Sequence, residues 1–525
     1  MPDRSTLWGP LRSPIFRRLF VADLLSDMGT FMQSVGAAWL MVSFGASATL
    51  VALTQTASSL PFFVFALPAG AIGDIVDRRK LILCCEFWMV GVAIVLAIAT
   101  IGGVMSPWLL LALTFALSAG DAFETPTWRA VLPELVGPRD LAAASALNGI
   151  EFNFARAVGP ALAGALIAAW GVGPAFIVNV LSFTGVILVV LRWKRQSRTR
   201  TSPIETVSGA TIAALRYVRY SPDLRYVMLR AGVTMFAASA LLALLPAAAR
   251  TMSNRATVFG LLLGCFGAGA VVGAVLMQPA RNRWTLEIVA SSAVVIFGVA
   301  TIVAGAVHTV ALFSLVMLVA GAGWIVFISL ASALVQGLAP DWARARVLAV
   351  FILIFQGGLA AGSALWGALA TRTGLTTAFI AAGLATIGTT ALGAIAKLPD
   401  REIDLTPWNH WRMPAIIHDA EVALERGLVL ITVRYHVVEQ HAASFVRAME
   451  EYGRIRRRDG ASWWGIFRDV EQADLFIEAF LVTSWAEHLR QHERFTHADR
   501  EVEAQIRQHV RGEPRVRHLV DAASE

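Results

Sequence analysis

Long apolar runs alternate with short charged stretches over the first three quarters of the chain, and the alternation stops near Leu398. The runs lie at roughly 16–44, 49–72, 81–103, 107–126, 141–169, 174–193, 225–248, 257–279, 286–306, 310–336, 347–371 and 376–397. Each is long enough for a helix to cross a hydrocarbon core about 30 Å thick. The pattern therefore predicts twelve membrane-spanning helices, and an even number returns both termini to one side of the bilayer.

Residues 398–525 read differently. They are rich in Arg, Glu and His, and none of their apolar runs is long enough to cross. Alternation with period two predicts strands in GLVLITVRYHVV from Gly427, in WWGIFRDV and in DLFIEAFLVTS, with a short last strand at Val516 to Val520. Amphipathic spacing predicts helices from His441 to Arg457 and from Trp485 to His509. The order βαββαβ is that of a ferredoxin-like domain. The fold class expected is thus an all-α membrane protein of twelve transmembrane helices carrying a C-terminal α+β cytoplasmic domain.

Composition narrows the class. At 56% hydrophobic, 15% charged and a mean hydropathy of +0.62, 525 residues are too apolar for a soluble protein. The net charge of +7 is spread over short loops instead of forming one basic patch, so no nucleic-acid partner is expected. Cys84, Cys85 and Cys265 all fall inside predicted spans, which leaves neither a disulfide framework nor a zinc site; no cofactor and no metal is expected. The first run carries Asp23 and Asp27 and is too long for a signal peptide, so it is read as a retained span. Counting Lys and Arg by side puts 21 with the termini and only Arg250, Arg255 and Arg372 opposite. Both termini are therefore expected in the cytoplasm and the chain in the inner membrane. Trp108, Trp170, Trp193 and Trp284 near span ends fit interfacial belts or a packed interior.

Four segments follow: an N-terminal six-helix bundle at 1–193, a cytoplasmic linker at 194–224, a C-terminal six-helix bundle at 225–397 and the ferredoxin-like domain at 398–525. In the linker, the basic run RWKRQSRTR precedes an amphipathic pattern around Ile212 to Tyr220, which predicts a helix along the inner leaflet. An internal repeat supports the division into six plus six. A shift of 203 residues lays GPALAGALIAAWGVGPAFI, from Gly159, over GSALWGALATRTGLTTAFI, from Gly362, with ten of nineteen positions identical. The same shift lays Gly70 on Gly273. Six spans separate equivalent positions, so the halves share orientation about an axis along the membrane normal.

The stretch GAIGDIVDRRK, from Gly70 to Lys80, packs five charges between two predicted spans and must sit at a membrane face. Here the sequence resembles the major facilitator superfamily, whose loop between the second and third spans reads Gly, three residues, Asp, then a basic cluster. Gly70, Asp74, Arg78 and Arg79 match it; Ile75 and Asp77 stand where that family usually has a basic residue and Gly. The Asp-Arg-Arg ending is similar to the export-oriented branch that includes siderophore and macrolide exporters. In span five, Gly159, Pro160 and Gly164 match that branch's Gly-Pro motif. By the resemblance, Asp74 engages the start of span eleven and locks the cytoplasmic gate, with Arg344 or Arg346 in PDWARAR as its partner. In the C-terminal domain, FIEAFLVTSWAEHLRQHERFT resembles the dimeric α/β-barrel family of small monooxygenases. That family closes its sheet by pairing two copies, so a dimerising or regulatory module is implied.

Ionisable groups inside spans are costly and therefore mark function. Asp23 and Asp27, four apart on one helical face with Thr30 and Ser34 above them, form a polar stripe suited to taking up and releasing protons. Asp23 is alternatively solvated, or paired with Arg17 or Arg18. Glu151, Asn153 and Arg156 are further cavity candidates, Arg156 seeking an acid such as Asp27. Asp121, Glu124 and Arg129 are expected to salt-bridge near the cytoplasmic mouth. Arg230, Gln336 and Gln356 are weaker candidates. Met32, Trp39, Trp324 and Phe355 suggest a cavity for an organic solute, or lipid-facing packing.

The function expected is a secondary transporter for a small-molecule substrate, exporting it by alternating access at the expense of inward proton flow; no enzyme activity is expected. No G-x-x-x-x-G-K-[ST] loop is present to support ATP drive. Two alternatives stay open: a nutrient or metabolite symporter, or a membrane-anchored carrier of a monooxygenase-like enzyme domain. For the second, His488 and His492 on one helix face have the spacing to hold a metal, and Trp463, Trp464 and His497 the character to line a pocket.

Overall fold

The computed structural model of the chain describes residues 8–137, 140–193, 207–395, 397–400, 403–408 and 427–521. Local signals set the helix starts. Ser13 accepts a hydrogen bond from the backbone of Phe16 and is followed by Pro14 at the first turn of α1 (Pro14–Ser43). Ser47, Asp77 and Ser106 cap α2 (Ala48–Ile75), α3 (Arg78–Ile101) and α4 (Pro107–Leu135) in the same way. Such caps satisfy backbone donors that the first turn leaves orphaned. They are followed by α5 (Leu141–Trp170), α6 (Gly173–Arg192), α7 (Val207–Tyr220), α8 (Pro222–Met252), α9 (Ala256–Arg281) and α10 (Leu286–Ala306). The helical part ends with α11 (Val310–Gly337), α12 (Arg344–Thr373), α13 (Leu375–Gly388) and the short α14 (Leu392–Ile395).

Among the described residues, ten helices are long and apolar enough to cross a membrane. The two long helices outside that set are α1 and α4, 30 and 29 residues long, which carry the acids Asp23, Asp27, Asp121 and Glu124. The repeat seen in the sequence has a structural counterpart. Gly171 follows α5 with φ +82°, and Gly374 follows α12 with φ +89°, at positions the 203-residue shift superposes. Glycine is the residue that takes this left-handed backbone without steric cost.

The described residues fall into two compact units. The first takes its residues from 1–203, 228–332 and 349–400, the second from 204–227, 333–348 and 401–525. In the first, α1 packs on α5 and α6, α3 on α4 and α6, α2 on α4, and α10 on α13. Two seams join the earlier helices to the later ones. Along α5 and α9, Gly164 and Gly260 approach so closely that a Cβ on Gly260 would stand 2.9 Å from Gly164 Cα and 2.7 Å from Pro160 O. Along α2 and α12, the Thr49 and Thr371 hydroxyls are 2.8 Å apart and Thr56 donates to Ala360 O at 3.0 Å. Small residues allow this approach, and helices in lipid associate chiefly through such packing. The large apolar residues expected near a cavity are packed instead: Met32 and Trp39 are buried, with Trp39 stacked on Phe259, and buried Trp324 sits among Phe266, Phe297 and Phe355. Of the span-end tryptophans, Trp108, Trp170 and Trp284 are exposed, whereas Trp193 is buried in a cluster with Leu19, Ile82 and Val190.

The second unit holds an antiparallel sheet of β1 (Val429–Val437), β2 (Trp463–Arg468), β3 (Leu475–Val482) and β4 (Val510–Val520) in the order β2-β3-β1-β4. Helix α15 (Ala442–Asp459) links β1 to β2, and α16 (Trp485–Arg494) and α17 (His497–Arg507) link β3 to β4. The single helix expected over 485–509 is therefore two. Thr496 and Asp499 form a capping box that restarts the chain as α17, and such a box satisfies two backbone donors at once. Helix α7 belongs to this unit. Its Ala213, Ala214 and Tyr217 face is buried, α15 packs on it, and Ile212 and Leu215 stay exposed. The face expected to meet lipid is thus partly spent on protein.

Candidate transport site

Acidic side chains from three helices of the first unit converge. Asp23 on α1 accepts a 2.9 Å hydrogen bond from Trp128 Nε1 on α4. Asp27, one turn further, stands within hydrogen-bonding reach of Glu151 on α5. Glu151 is 3% exposed, and its Oε1 has no donor among the described residues. Two carboxyls can hydrogen-bond to each other only when one of them holds a proton. Asp121 on α4 accepts from Thr125 at 2.9 Å and lies near enough to both α1 acids to act on them electrostatically. The spacing of α1 explains part of this. Residues 23 and 27 are four apart and share a face, and the following turns carry that face on to Thr30 and Ser34.

The other cavity candidates behave differently. Asn153 is exposed and donates to Gly149 O, one turn back on its own helix, at 2.7 Å. Arg156 does not reach Asp27; its guanidinium lies 5.7 Å from the ring centroid of Phe152, and it makes no ion pair among the described residues. The acid that meets Asp27 is Glu151, which the sequence spacing did not single out as a partner. Glu124 also departs from expectation. Asp121 keeps the company of Arg129, but Glu124 is 9% exposed and turns to Glu86 on α3. Gln33 on α1 and Asn179 on α6, both buried, are hydrogen-bonded to each other; sequence reasoning passed over them and over Glu86, although each is a polar group within an apolar run. Arg230 pairs with Glu287 at 2.7 Å and donates to Ser291, tying α8 to α10.

The charged stretch after α2 serves as a helix junction. Asp77 caps α3 through the backbone of Lys80. Arg78 donates to Ala130 O and to Glu134 Oε1 on α4, both at 2.8 Å. Arg79 donates to Val190 O at 3.0 Å and Leu191 O at 2.7 Å at the end of α6. Gly70 and Asp74 lie in the last turns of α2, and their side-chain surroundings lie outside the described residues. Arg344 pairs with Asp341, three residues earlier, at 2.7 Å, and Arg346 opens α12 beside it. The Gly-Pro motif splits its contacts. A Cβ on Gly159 would meet Phe31 and Met28 of α1 at 2.9 and 3.2 Å, while Pro160 and Gly164 form the seam with α9.

In the second unit, His488 and His492 bring their Nε2 atoms to 3.2 Å. Among the described residues no group of three or more His, Cys, Asp or Glu side chains is arranged to hold a metal. Trp464 donates to buried Glu478, exposed Trp463 stacks on Phe467, and His497 rests against Trp408. The three residues suggested as a pocket lining thus have separate partners.

A family model described as transmembrane secretion effector, a major facilitator family, matches residues 5–525. The chain belongs to this family. The multidrug efflux pump Tap of Mycolicibacterium fortuitum is 27% identical over 75% of the chain and 98% of its own length. The enterobactin exporter EntS of Shigella boydii serotype 4 is 25% identical over 50% of the chain and 62% of its own length. Macrolide efflux protein A of Streptococcus pyogenes is 27% identical over 26% of the chain and 33% of its own length. Among solved structures, a POT family transporter in complex with 5-aminolevulinic acid superposes with a TM-score of 0.60 at 14% identity, covering 75% of the chain and 97% of that structure. A bacterial homologue of the lysosomal transporter Spinster superposes at 0.56 and 14%, covering 74% and 95%. This transmembrane secretion effector is therefore a multi-pass membrane protein with a transporter fold.

Proposed function

We propose that this family member is a proton-coupled exporter of small organic molecules working by alternating access in the inner membrane. The observation that carries the reading is the carboxyl pair of half-buried Asp27 on α1 and buried Glu151 on α5, which has no ion-pair partner among the described residues. A pair that shares one proton has two stable charge states, and a group buried among helices changes its surroundings when those helices move. Proton uptake on one side and release on the other then drives cargo the opposite way. The names of the efflux relatives support export and small organic cargo.

In this reading α1 and α4 also span the bilayer despite their acids, giving twelve spans as two duplicated bundles at 1–193 and 225–397, with both termini cytoplasmic. Thr49 and Thr371, Gly164 and Gly260 then lie toward the outer face, which is closed. Gly70, Asp74, Arg78 and Arg79 lie toward the inner one. The sheet order of residues 427–521 supports a ferredoxin-like domain, whose role is regulatory or dimerising and not enzymatic.

The test uses everted membrane vesicles with an imposed pH gradient and a panel of catecholate siderophores, macrolides and cationic dyes. Asp27→Asn and Glu151→Gln each abolish gradient-driven transport of whichever compound the wild type moves, while both still exchange labelled for unlabelled compound without a gradient. Gradient-driven transport that survives both substitutions refutes proton coupling through this pair.

A further inference from the structure

A second carboxyl pair lies apart from the first. Glu86 on α3 is 2% exposed and Glu124 on α4 is 9% exposed. The two carboxyls stand within hydrogen-bonding reach of each other, and the Oε2 of each has no donor among the described residues. Helix contact enforces the arrangement. Gly120, one turn before Glu124, sits so close to α3 that a Cβ there would meet Met89 at 2.6 Å and Trp88 at 3.0 Å. The pair therefore lies deep in the α3–α4 contact, some 12 Å along α3 from Arg78 at a rise of about 1.5 Å per residue.

The titratable groups that face Glu86 are Glu124 and Asp121 on α4, Asp23 on α1 and Cys85 beside it on α3. Helix α6, also packed on α3, offers no ionisable side chain before Arg192. Arg129, on the same helix as Glu124, acts on Asp121. With no ion-pair partner among the described residues, a buried carboxyl pair persists by keeping a proton between its members.

We propose that Glu86 and Glu124 form a second proton-holding site, joined to the Asp27–Glu151 pair through Asp121 and Asp23, so that the bundle carries a carboxyl relay from α3 through α4 and α1 to α5. The step is a transfer of one proton. An O–H bond on a carboxylic acid of one pair breaks, an O–H bond on a carboxylate of the other forms, the negative charge moves the opposite way, and no electrons change hands. The relay rests on the proposed proton coupling and deepens it: the α3–α4 pair stores the proton while the α1–α5 pair responds to cargo. A purely structural pair would hold its proton permanently.

Dicyclohexylcarbodiimide separates the two cases, because it modifies buried carboxyls only in their protonated form. The full chain in lipid nanodiscs is treated between about pH 6 and pH 9 and the modified peptides are quantified by mass spectrometry. Labelling at Glu86 or Glu124 is expected to fall with rising pH, approaching tenfold per pH unit once past the midpoint, and the midpoint moves in Asp23→Asn. Labelling that does not change with pH, or no labelling at either residue, overturns the proposal. Glu86→Gln, or Glu124→Gln if that variant does not fold, confirms the peptide assignment by abolishing label at its own position. The outcome does not depend on transport. Gradient-driven transport surviving both Asp27→Asn and Glu151→Gln refutes the central pair, and labelling without pH dependence refutes the relay alone.

Discussion

A valine at position 260 puts the seam between α5 and α9 to a direct test. The added Cβ would stand 2.7 Å from Pro160 O, 2.9 Å from Gly164 Cα and 3.1 Å from Gly164 N. All three are backbone atoms, so no side chain can swing away, and the helices must part. Overpacking of this kind costs about 1–3 kcal/mol. Set against a second conformation in which the seam is open, that cost shifts the population by roughly 5- to 150-fold. The assay is disulfide formation between Thr49→Cys and Thr371→Cys on the other seam, where the hydroxyls are 2.8 Å apart, with Cys84, Cys85 and Cys265 replaced by serine. If the two sets of helices move as rigid bodies, Gly260→Val lowers the disulfide yield at a place it does not touch. Gly91→Ala, which adds a Cβ into open space, leaves the yield unchanged. An undiminished yield in Gly260→Val refutes the view that these seams open and close together.

Arg78→Gln removes the guanidinium hydrogen bonds to Ala130 and Glu134, both partly exposed, and lowers stability by about 1 kcal/mol, read from thermal unfolding in detergent. Arg494→Ala removes one buried partner of Glu487 at 2.8 Å while Arg216 and Arg490 remain; it costs about 1.5–3 kcal/mol, and the double variant Arg494→Met with Glu487→Gln recovers part of the loss in the same measurement. Burial, reinforced by His492, pushes the His488 imidazole down to about 3, so the folded chain binds fewer protons there than the unfolded one as pH falls below about 6.5. That contribution to stability is complete above about pH 6.5 and diminishes by about 2 kcal/mol by pH 5, and His488→Gln flattens the slope of unfolding midpoint against pH.

The helices were the easiest feature to read, because hydrocarbon allows a spanning segment few compositions. Charge blurred the two exceptions, α1 and α4. The βαββ course of the sheet domain was legible from alternation; the break at Thr496 was not, because an amphipathic pattern continues across it and only the capping box reveals the restart. Asp23 and Asp27 could be placed on one face from their spacing, since that geometry is local. Which acid meets Asp27 depends on how α5 rotates against α1, and no interval along the chain encodes that. Glu86 went unremarked because it lies eight residues past Arg78 and reads as the tail of a charged loop. Glu124, beside Arg129 in sequence, reads as half of a salt bridge until the close approach at Gly120 turns it toward α3.

The second unit is assembled from three stretches far apart in sequence, at 204–227, 333–348 and 401–525. Tyr217 donates to Leu338 O at 3.2 Å, Trp342 lies between Tyr217 and Arg494, and Arg216 meets Glu487 at 2.7 Å. The final piece leaves the ribosome long after the other two, so during synthesis Tyr217 and Trp342 wait uncovered for partners not yet made. A nascent chain that stalls before residue 401 presents that bare aromatic surface to chaperones and proteases, and only full-length product can hide it.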